Sequence, residues 1–344
     1  MKGIHLPLLI LFAMSIQLAR GAEAPALIER PQAEAGPTRV SVGIWMADIT
    51  NIDSAQQNFT AEVAVVLRWR DPRLTHAGNG IARYPLEQVW HPRFAVVNET
   101  SSVSRKFPEA VEVEPDGMVN YRQRYAGAFT QPLRLQSFSF DRQTFRFQLV
   151  AVRYRPNEVM FVPDQDWIRN GLRQGGGIAP SITLPDWTLE KWETKPLTYV
   201  LAPGFEYSSY AFDFTASRNV QHYVWKVILP LILIVAMSWT VFWVAATEVG
   251  PQLGVATTSM LTLIAYRFAI DHQLPVLPYT TRLDAFILMS TLLVFFSLIE
   301  VLATTILEGQ HRSRQAKRID RFCRGIFPLI FVTASIAIFG RPWT

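Results

Sequence analysis

The chain has 344 residues, 49% of them hydrophobic, and a mean hydropathy of +0.14, which excludes a single soluble domain and requires membrane-embedded segments. Its 33 Lys and Arg against 28 Asp and Glu give a net charge of +5, but the basic residues are not gathered on a soluble stretch, so nucleic acid is not the expected partner. The one cysteine, Cys323, excludes an intrachain disulfide and Cys/His metal clusters, and no HExxH, GxSxG or CxxC pattern occurs, so no catalytic set, metal or cofactor is expected.

Residues 1–24 run from Met1-Lys2 through the apolar LPLLILFAMSIQL to the small residues of ARGAEA, the layout of a cleavable secretory signal ending between Gly21 and Ala24. An uncleaved anchor is the alternative, yet about 13 apolar residues fall short of the roughly 20 needed to span a bilayer. Residues 25–37 are expected to be a flexible lead-in.

A β domain is expected over 38–220. Short alternating runs such as RVSVGIWMADI, FTAEVAVVLRW and QTFRFQLVAV are separated by turn clusters such as DPRLTHAGNG and EPDGMVNY. Period-2 patterning at that spacing predicts an antiparallel sandwich or barrel. Phe59, Ala61, Val63, Val65, Leu67 and Trp69 form one apolar face, with Glu62 and Arg68 on the other. The glycine run in RQGGGIAP, 173–180, lacks the Lys-Ser/Thr of a phosphate loop and is read as a flexible surface loop.

A transmembrane domain follows over 221–344, with helices at about 223–246, 253–271, 284–307 and 322–340. Pro230 and Pro328 lie inside two of them, as membrane helices tolerate. The link 308–321 carries Arg312, Arg314, Lys317, Arg318 and Arg321, so it should stay cytoplasmic and leave the β domain outside, in agreement with the signal segment.

The second helix, TSMLTLIAYRFAIDH within it, is unusually polar for lipid. Steps of three and four place Gly254, Thr258, Leu261, Ala265, Phe268 and His272 on one stripe, while Met260, Leu263 and Ile264 are expected to give apolar cover toward neighbouring helices. Copies around an axis would turn the stripe into rings, Thr258 wetting a passage and Leu261 and Phe268 forming constrictions able to dewet. A helix-packing face uses the same small and hydroxyl residues, so both readings stand on the residues alone. Arg267, off the stripe, needs water or a partner near the outer end.

Several motifs in order resemble one family: WRDPRL at Trp69–Leu74, WHPRF at Trp90–Phe94, FSFDRQTF at Phe138–Phe145, SRN before the first helix, ILPLILIVAMSWTVFW within it, and LPVLPYTT after the second. On these residues the chain resembles the bacterial branch of the pentameric ligand-gated ion channels, also called Cys-loop receptors. The resemblance implies an immunoglobulin-like β-sandwich on a four-helix bundle, a homopentamer around a central pore in the plasma (inner) membrane, ligand sites between neighbouring sandwiches, and a gate at Leu261 and Phe268. The family's bridging cysteines are absent, with Gln131 and Phe145 at the matching places, and Ser139 replaces the usual proline of the signature loop.

The resemblance also distributes roles. At the pore mouths stand Glu248, Gly250 and Pro251, with Gln252 beside them, and Asp271. Pro251 with Gly254 is similar to anion-conducting members, whereas Glu248 and Asp271 make the approaches negative and favour monovalent cations. The hairpin around APG offers Trp192, Tyr199, Phe205 and Tyr207 to a cation, though aromatics alternating as strand core account for part of them. Glu62 suits an ammonium; Arg153 and Arg155, flanking Tyr154, suit a carboxylate. Coupling falls to Asp141 with Arg218, to the NIDSAQQ turn, and to Pro275, Pro278 and Tyr279 of the link after the second helix. Protons acting through His272 are an alternative trigger. A membrane-anchored sensor without conduction is the other alternative, but it needs only one or two helices.

Overall fold

The computed structural model describes residues 27–31, 35–184, 186–245, 247–271 and 277–340; the signal segment, His272 and Pro275 lie outside them. The alternating half forms β1 (Thr38–Asp53), β2 (Asn58–Arg70), β3 (Ala82–Pro85), β4 (Phe94–Val96), β5 (Ser104–Arg105), β6 (Ala110–Val113), β7 (Met118–Thr130), β8 (Arg142–Ala151), β9 (Val159–Pro163), β10 (Gly176–Ile178), β11 (Trp187–Ala202) and β12 (Phe205–Arg218). One sheet runs β10-β1-β2-β7-β6-β3, with β5 on β7 and β9 on β1; the other runs β11-β12-β8-β4. The first is not wholly antiparallel, because β9 and β10 both pair parallel to β1.

Strand β2 shows why the sandwich forms. Phe59, Ala61, Val63, Val65, Leu67 and Trp69 are all buried, and the intervening Glu62 and Arg68 turn to the other face, Glu62 pairing with Arg124 and Arg68 with the buried Asp164 and the exposed Asp166. Where the family carries a disulfide, Phe145 is packed among aromatics. Its ring stacks on Phe214 at 5.0 Å and meets Phe59 at 5.6 Å and Trp187 at 5.7 Å edge-on. Each such contact adds about 0.5–1.5 kcal/mol beyond area burial, which is how apolar packing stands in for a covalent tie. Gln131, at the other cysteine place, accepts from the Arg146 amide at 3.1 Å.

The glycine run is not a surface loop. Gly175, Gly176 and Gly177 are buried, and Gly176–Ile178 is β10 itself. A Cβ on Gly176 would lie 2.8 Å from the Ile44 carbonyl oxygen, and one on Gly177 2.4 Å from the Trp45 ring. Only glycine lets this edge strand approach β1.

Four helices among the described residues are long and apolar enough to cross a membrane: Gln221–Trp243, Val249–Ile270, Arg282–Gly309 and Ser313–Phe339. The first holds a π-helical turn at Val224–Ile228 just before Pro230, whose missing N–H frees a carbonyl. The second, which runs to Asp271, places Gly250 and Pro251 in its first turn, where no intrahelical N–H is required. The third is fixed by a capping box, Thr281 Oγ1 accepting from the Asp284 amide at 3.1 Å and Asp284 Oδ2 from the Thr281 amide at 2.9 Å. The fourth begins at Ser313, not near 322, so the expected link 308–321 is mostly helix and only residues 310–312 join the two. Cys323 is buried on its inward face, 7% exposed.

Candidate functional site

The second helix has two unlike sides. Gln252, Ala256, Ser259, Leu263 and Ile270 are buried against the protomer. Gln252 is thus turned away from the mouth where its place in the sequence had put it, its amide donating to the carbonyls of Val244 at 3.0 Å and Val241 at 3.4 Å. Higher up, the Tyr266 hydroxyl donates to the Val227 carbonyl at 2.7 Å and the Lys226 carbonyl at 3.2 Å, both in the π-helical turn just before Pro230. These polar pins fix the helix against the first one at both levels.

The other side is left open by the protomer. Gly254, Thr258 and Ala265 are exposed, with Leu261 64% and Phe268 72% exposed. Ile264 is 44% exposed as well and does not provide the inward cover expected of it, which falls to Leu263 and, in part, Met260. The hydroxyls divide the same way. Thr257, Ser259 and Thr262 donate to carbonyls four residues back at 2.7–2.8 Å, so their helix satisfies them. The Thr258 hydroxyl makes no such bond among the described residues and is left for water. Glu248, Gly250 and Pro251 are exposed at the start of the helix. Arg267 lines an open cleft with Leu263, Ile264, Phe268 and Thr291. The Asp271 side chain and His272, at the far end, lie outside the described residues.

At the junction of the halves, Arg218, the last residue of β12, forms a buried ion pair with Asp141. Its Nε donates to Oδ1 at 2.8 Å and its second nitrogen to Oδ2 at 3.3 Å. The guanidinium also lies 4.2 Å from the Trp187 ring centroid and 4.6 Å from that of Phe138, and it donates to Ser54 Oγ in the β1–β2 turn at 2.8 Å. The signature loop, which contains a cis Phe138–Ser139 peptide, reaches the membrane half at several points, among them the Gln136 carbonyl, which accepts from the Arg282 amide of the third helix at 3.2 Å. Phe138 meets Tyr223 at 5.2 Å, Phe140 meets Phe339 at 5.3 Å, and the Leu135 amide donates to the Tyr279 hydroxyl at 3.2 Å. The described contacts of the β1–β2 turn and of the link thus run to Arg218 and to the loop; Pro278 is exposed, and Pro275 lies outside the described residues.

The ligand candidates do not form one cluster. Tyr199 and Tyr207 face each other across the β11–β12 ladder, and Phe205 at the tip is 55% exposed, the turn being closed by Gly204 at φ +83°. Trp192 lies lower, stacked on Phe212 at 5.6 Å. Tyr154 is next to the hairpin, its carbonyl accepting from the Ser208 amide at 3.4 Å, while its hydroxyl accepts from Trp90 Nε1 at 2.9 Å. Arg153 is exposed. Glu62 is not free for an ammonium, because Arg124 Nε holds it at 2.6 Å. The reading of the sequence missed Asp213, which sits on β12 between Arg146, bidentate at 2.7 Å, and Lys195 at 3.2 Å.

A β-sandwich whose last strand runs into four membrane helices, with a buried ion pair beside that junction and one helix presenting an exposed face, is the architecture of a membrane receptor channel. Residues 27–195 match the model of the neurotransmitter-gated ion-channel ligand binding domain, and residues 227–315 that of the neurotransmitter-gated ion-channel transmembrane region. The chain belongs to this family of ligand-gated ion channels, and it is not an enzyme. It is similar to a proton-gated ion channel of Gloeobacter violaceus, 27% identical over 308 residues that cover 88% of this chain and 82% of that protein.

Proposed function

We propose that five copies of this chain surround an axial pore, each contributing the exposed side of its second helix, and that a small molecule binding between neighbouring sandwiches opens it. The observation that carries this reading is the division of that helix. Its inner face is pinned by Gln252 and Tyr266, while Gly254, Thr258, Leu261, Ala265 and Phe268 are left exposed on the protomer. An isolated apolar face of that kind in a membrane protein calls for further copies, and the free Thr258 hydroxyl among them suits water. In this arrangement the β domain is external and the basic start of the fourth helix faces the cytoplasm of a plasma-membrane protein.

Glu248 at the inner mouth and Asp271 at the outer give both approaches negative charge, so the permeant ions are monovalent cations. Purified protein in planar bilayers, recorded in a salt gradient, should reverse near the cation equilibrium potential. Reversal at the chloride potential would overturn the cation assignment, and native mass spectrometry showing any copy number other than five would overturn the pore.

The similarity to a proton-gated channel supports a second reading in which protons are the trigger. Two buried groups of the sandwich do not serve it. Burial holds the His91 imidazole below the ordinary histidine range, against the opposing pull of the Val89 carbonyl at 3.3 Å. Burial pushes the Asp213 carboxyl up, but the Arg146 and Lys195 bonds outweigh it and keep it below the usual carboxylate range. Stability from a depressed carboxyl is present above its unfolded value and lost only as pH falls through the folded one, beneath the window of about pH 5 to 8 in which histidine acts. His272 is the better candidate. His272→Phe should flatten the current's response between about pH 5 and 9; an unaltered response removes it from consideration.

A further inference from the structure

The start of the second helix hangs from one turn of the first. The first helix closes in a 3-10 turn, Thr240–Trp243, after which the chain is extended at Val244, with φ −75° and ψ 137°, and a helix that ends this way leaves carbonyls in need of other donors. Gln252, fully buried in the first turn of the second helix, supplies its amide to the carbonyls of Val241 and Val244. Thr257, Ser259 and Thr262 spend their hydroxyls on their own helix. Among the described residues, the next side-chain hydrogen bond from the second helix to another is that of Tyr266, about 21 Å further along. The rotation of the first turns therefore depends on Gln252, and so on the turn that receives it.

That turn is held from its other side by the fourth helix. Arg324 Nε donates to the Phe242 carbonyl at 2.8 Å, in sequence between the two carbonyls that Gln252 uses, and the guanidinium carbon lies 5.6 Å from the Trp243 ring centroid. The buried Asp320 carboxyl, one helical turn earlier, is within electrostatic reach of the same guanidinium. Phe327 meets Phe242 at 4.9 Å and Phe331 meets Trp239 at 5.5 Å, so ring packing sets the arginine over the turn. A hydrogen bond from a guanidinium is charge-assisted and stronger than one between neutral groups. One 3-10 turn thus receives the second helix through Gln252 and the fourth through Arg324.

We propose that Arg324 is a positioning residue for the inner mouth of the pore. By holding the Phe242 carbonyl it fixes the 3-10 turn, the turn fixes Gln252, and Gln252 sets the rotation at which Gly250, Pro251 and Gly254 are presented to the axis. Without that bond the turn is free to move by the roughly 1–2 Å of an ordinary helix shift, and at the narrow end of a pore such a step changes the path open to an ion. The arginine acts through the turn and not by touching ions. This inference rests on the pore reading above and adds what sets the inner end of it.

Unitary conductance of the full-length protein in planar bilayers tests it, in a Leu261→Thr background so that current flows without a ligand. Arg324→Met should change the conductance about twofold or more, and Gln252→Met, which alters no charge, should change it in the same direction. The double variant should do no more than either single one, because both release the same turn. Arg324→Lys, which keeps a charged donor, should stay near the starting value. Unaltered conductance in Arg324→Met overturns the proposal, and an additive double variant overturns it in favour of the lost charge acting at a distance. Hydrogen exchange on the protein in nanodiscs gives a second reading that needs no current and decides if the background is silent. In Arg324→Met the amides of residues 249–256 should exchange about fivefold faster, on the scale of one lost charge-assisted bond, with those of 262–270 unchanged; equal acceleration of both segments overturns the proposal in favour of a loosened bundle. If Arg324→Met fails to assemble, Arg324→Gln is read by the same criteria. A copy number other than five overturns the pore reading and this inference together, whereas unaltered conductance in a pentamer overturns this one alone.

Discussion

Asp141→Asn should abolish ligand-evoked current while the protein still assembles. The asparagine keeps one acceptor for Arg218 Nε, but its other position becomes an NH2 group facing two donors, the Gln143 amide nitrogen at 2.9 Å and the second Arg218 nitrogen at 3.3 Å. Arg218 is then 8% exposed with no carboxylate to balance it, and breaking a buried pair from one side costs about 3–5 kcal/mol. The loss falls where the two halves meet. Arg218 ends the ligand hairpin's second strand, holds Ser54 of the β1–β2 turn and lies over the Phe138 ring, so a displaced guanidinium disconnects all three. Current evoked by any agonist or pH step should fall about tenfold or more, with the oligomer unchanged in size-exclusion chromatography. Arg218→Lys should not restore it, since an ammonium lacks the two-pronged geometry. Normal currents from Asp141→Asn would show that the pair serves folding alone.

Leu261→Thr should make the channel conduct without ligand. In a ring of five, each leucine presents apolar surface to the axis, and a narrow apolar ring expels water and ions with it. Exchanging an isobutyl group for a hydroxyl and a methyl lowers the penalty of wetting by about 1 kcal/mol per copy, so the ring changes by about 5 kcal/mol. That is close to the roughly 5.5 kcal/mol that moves a two-state equilibrium from 1:99 to 99:1. Bilayers containing the variant should show a standing current absent from the unmodified protein. A silent variant with unshifted sensitivity would place the barrier elsewhere, with Phe268 the next ring to test.

Much of this was legible in the residues, for identifiable reasons. Strand β2 revealed its buried face because a half-buried strand alternates, and the four spans stood out because lipid demands uninterrupted apolar length. The start of the fourth helix was missed because that same criterion is blind outside the hydrocarbon layer: Arg and Lys form helix well but do not look like a span. The partner of Glu62 depends on register. Arg124 faces Ala64, one diagonal step from the Ala126 that Glu62 faces, and nothing in either strand alone specifies that offset. Gln252 needed the rotation of its helix relative to the Val241 and Val244 carbonyls. The glycines of β10 needed β1 beside them.

The chain's one thiol, on Cys323, is shielded against the neighbouring helix. Water-borne maleimides and methanethiosulfonates therefore find almost no native target. A cysteine placed in turn at Gly254, Thr258, Leu261, Ala265 and Phe268 can be labelled in the unaltered background, and the pattern of blocked current becomes a direct map of which rungs ions touch as they pass.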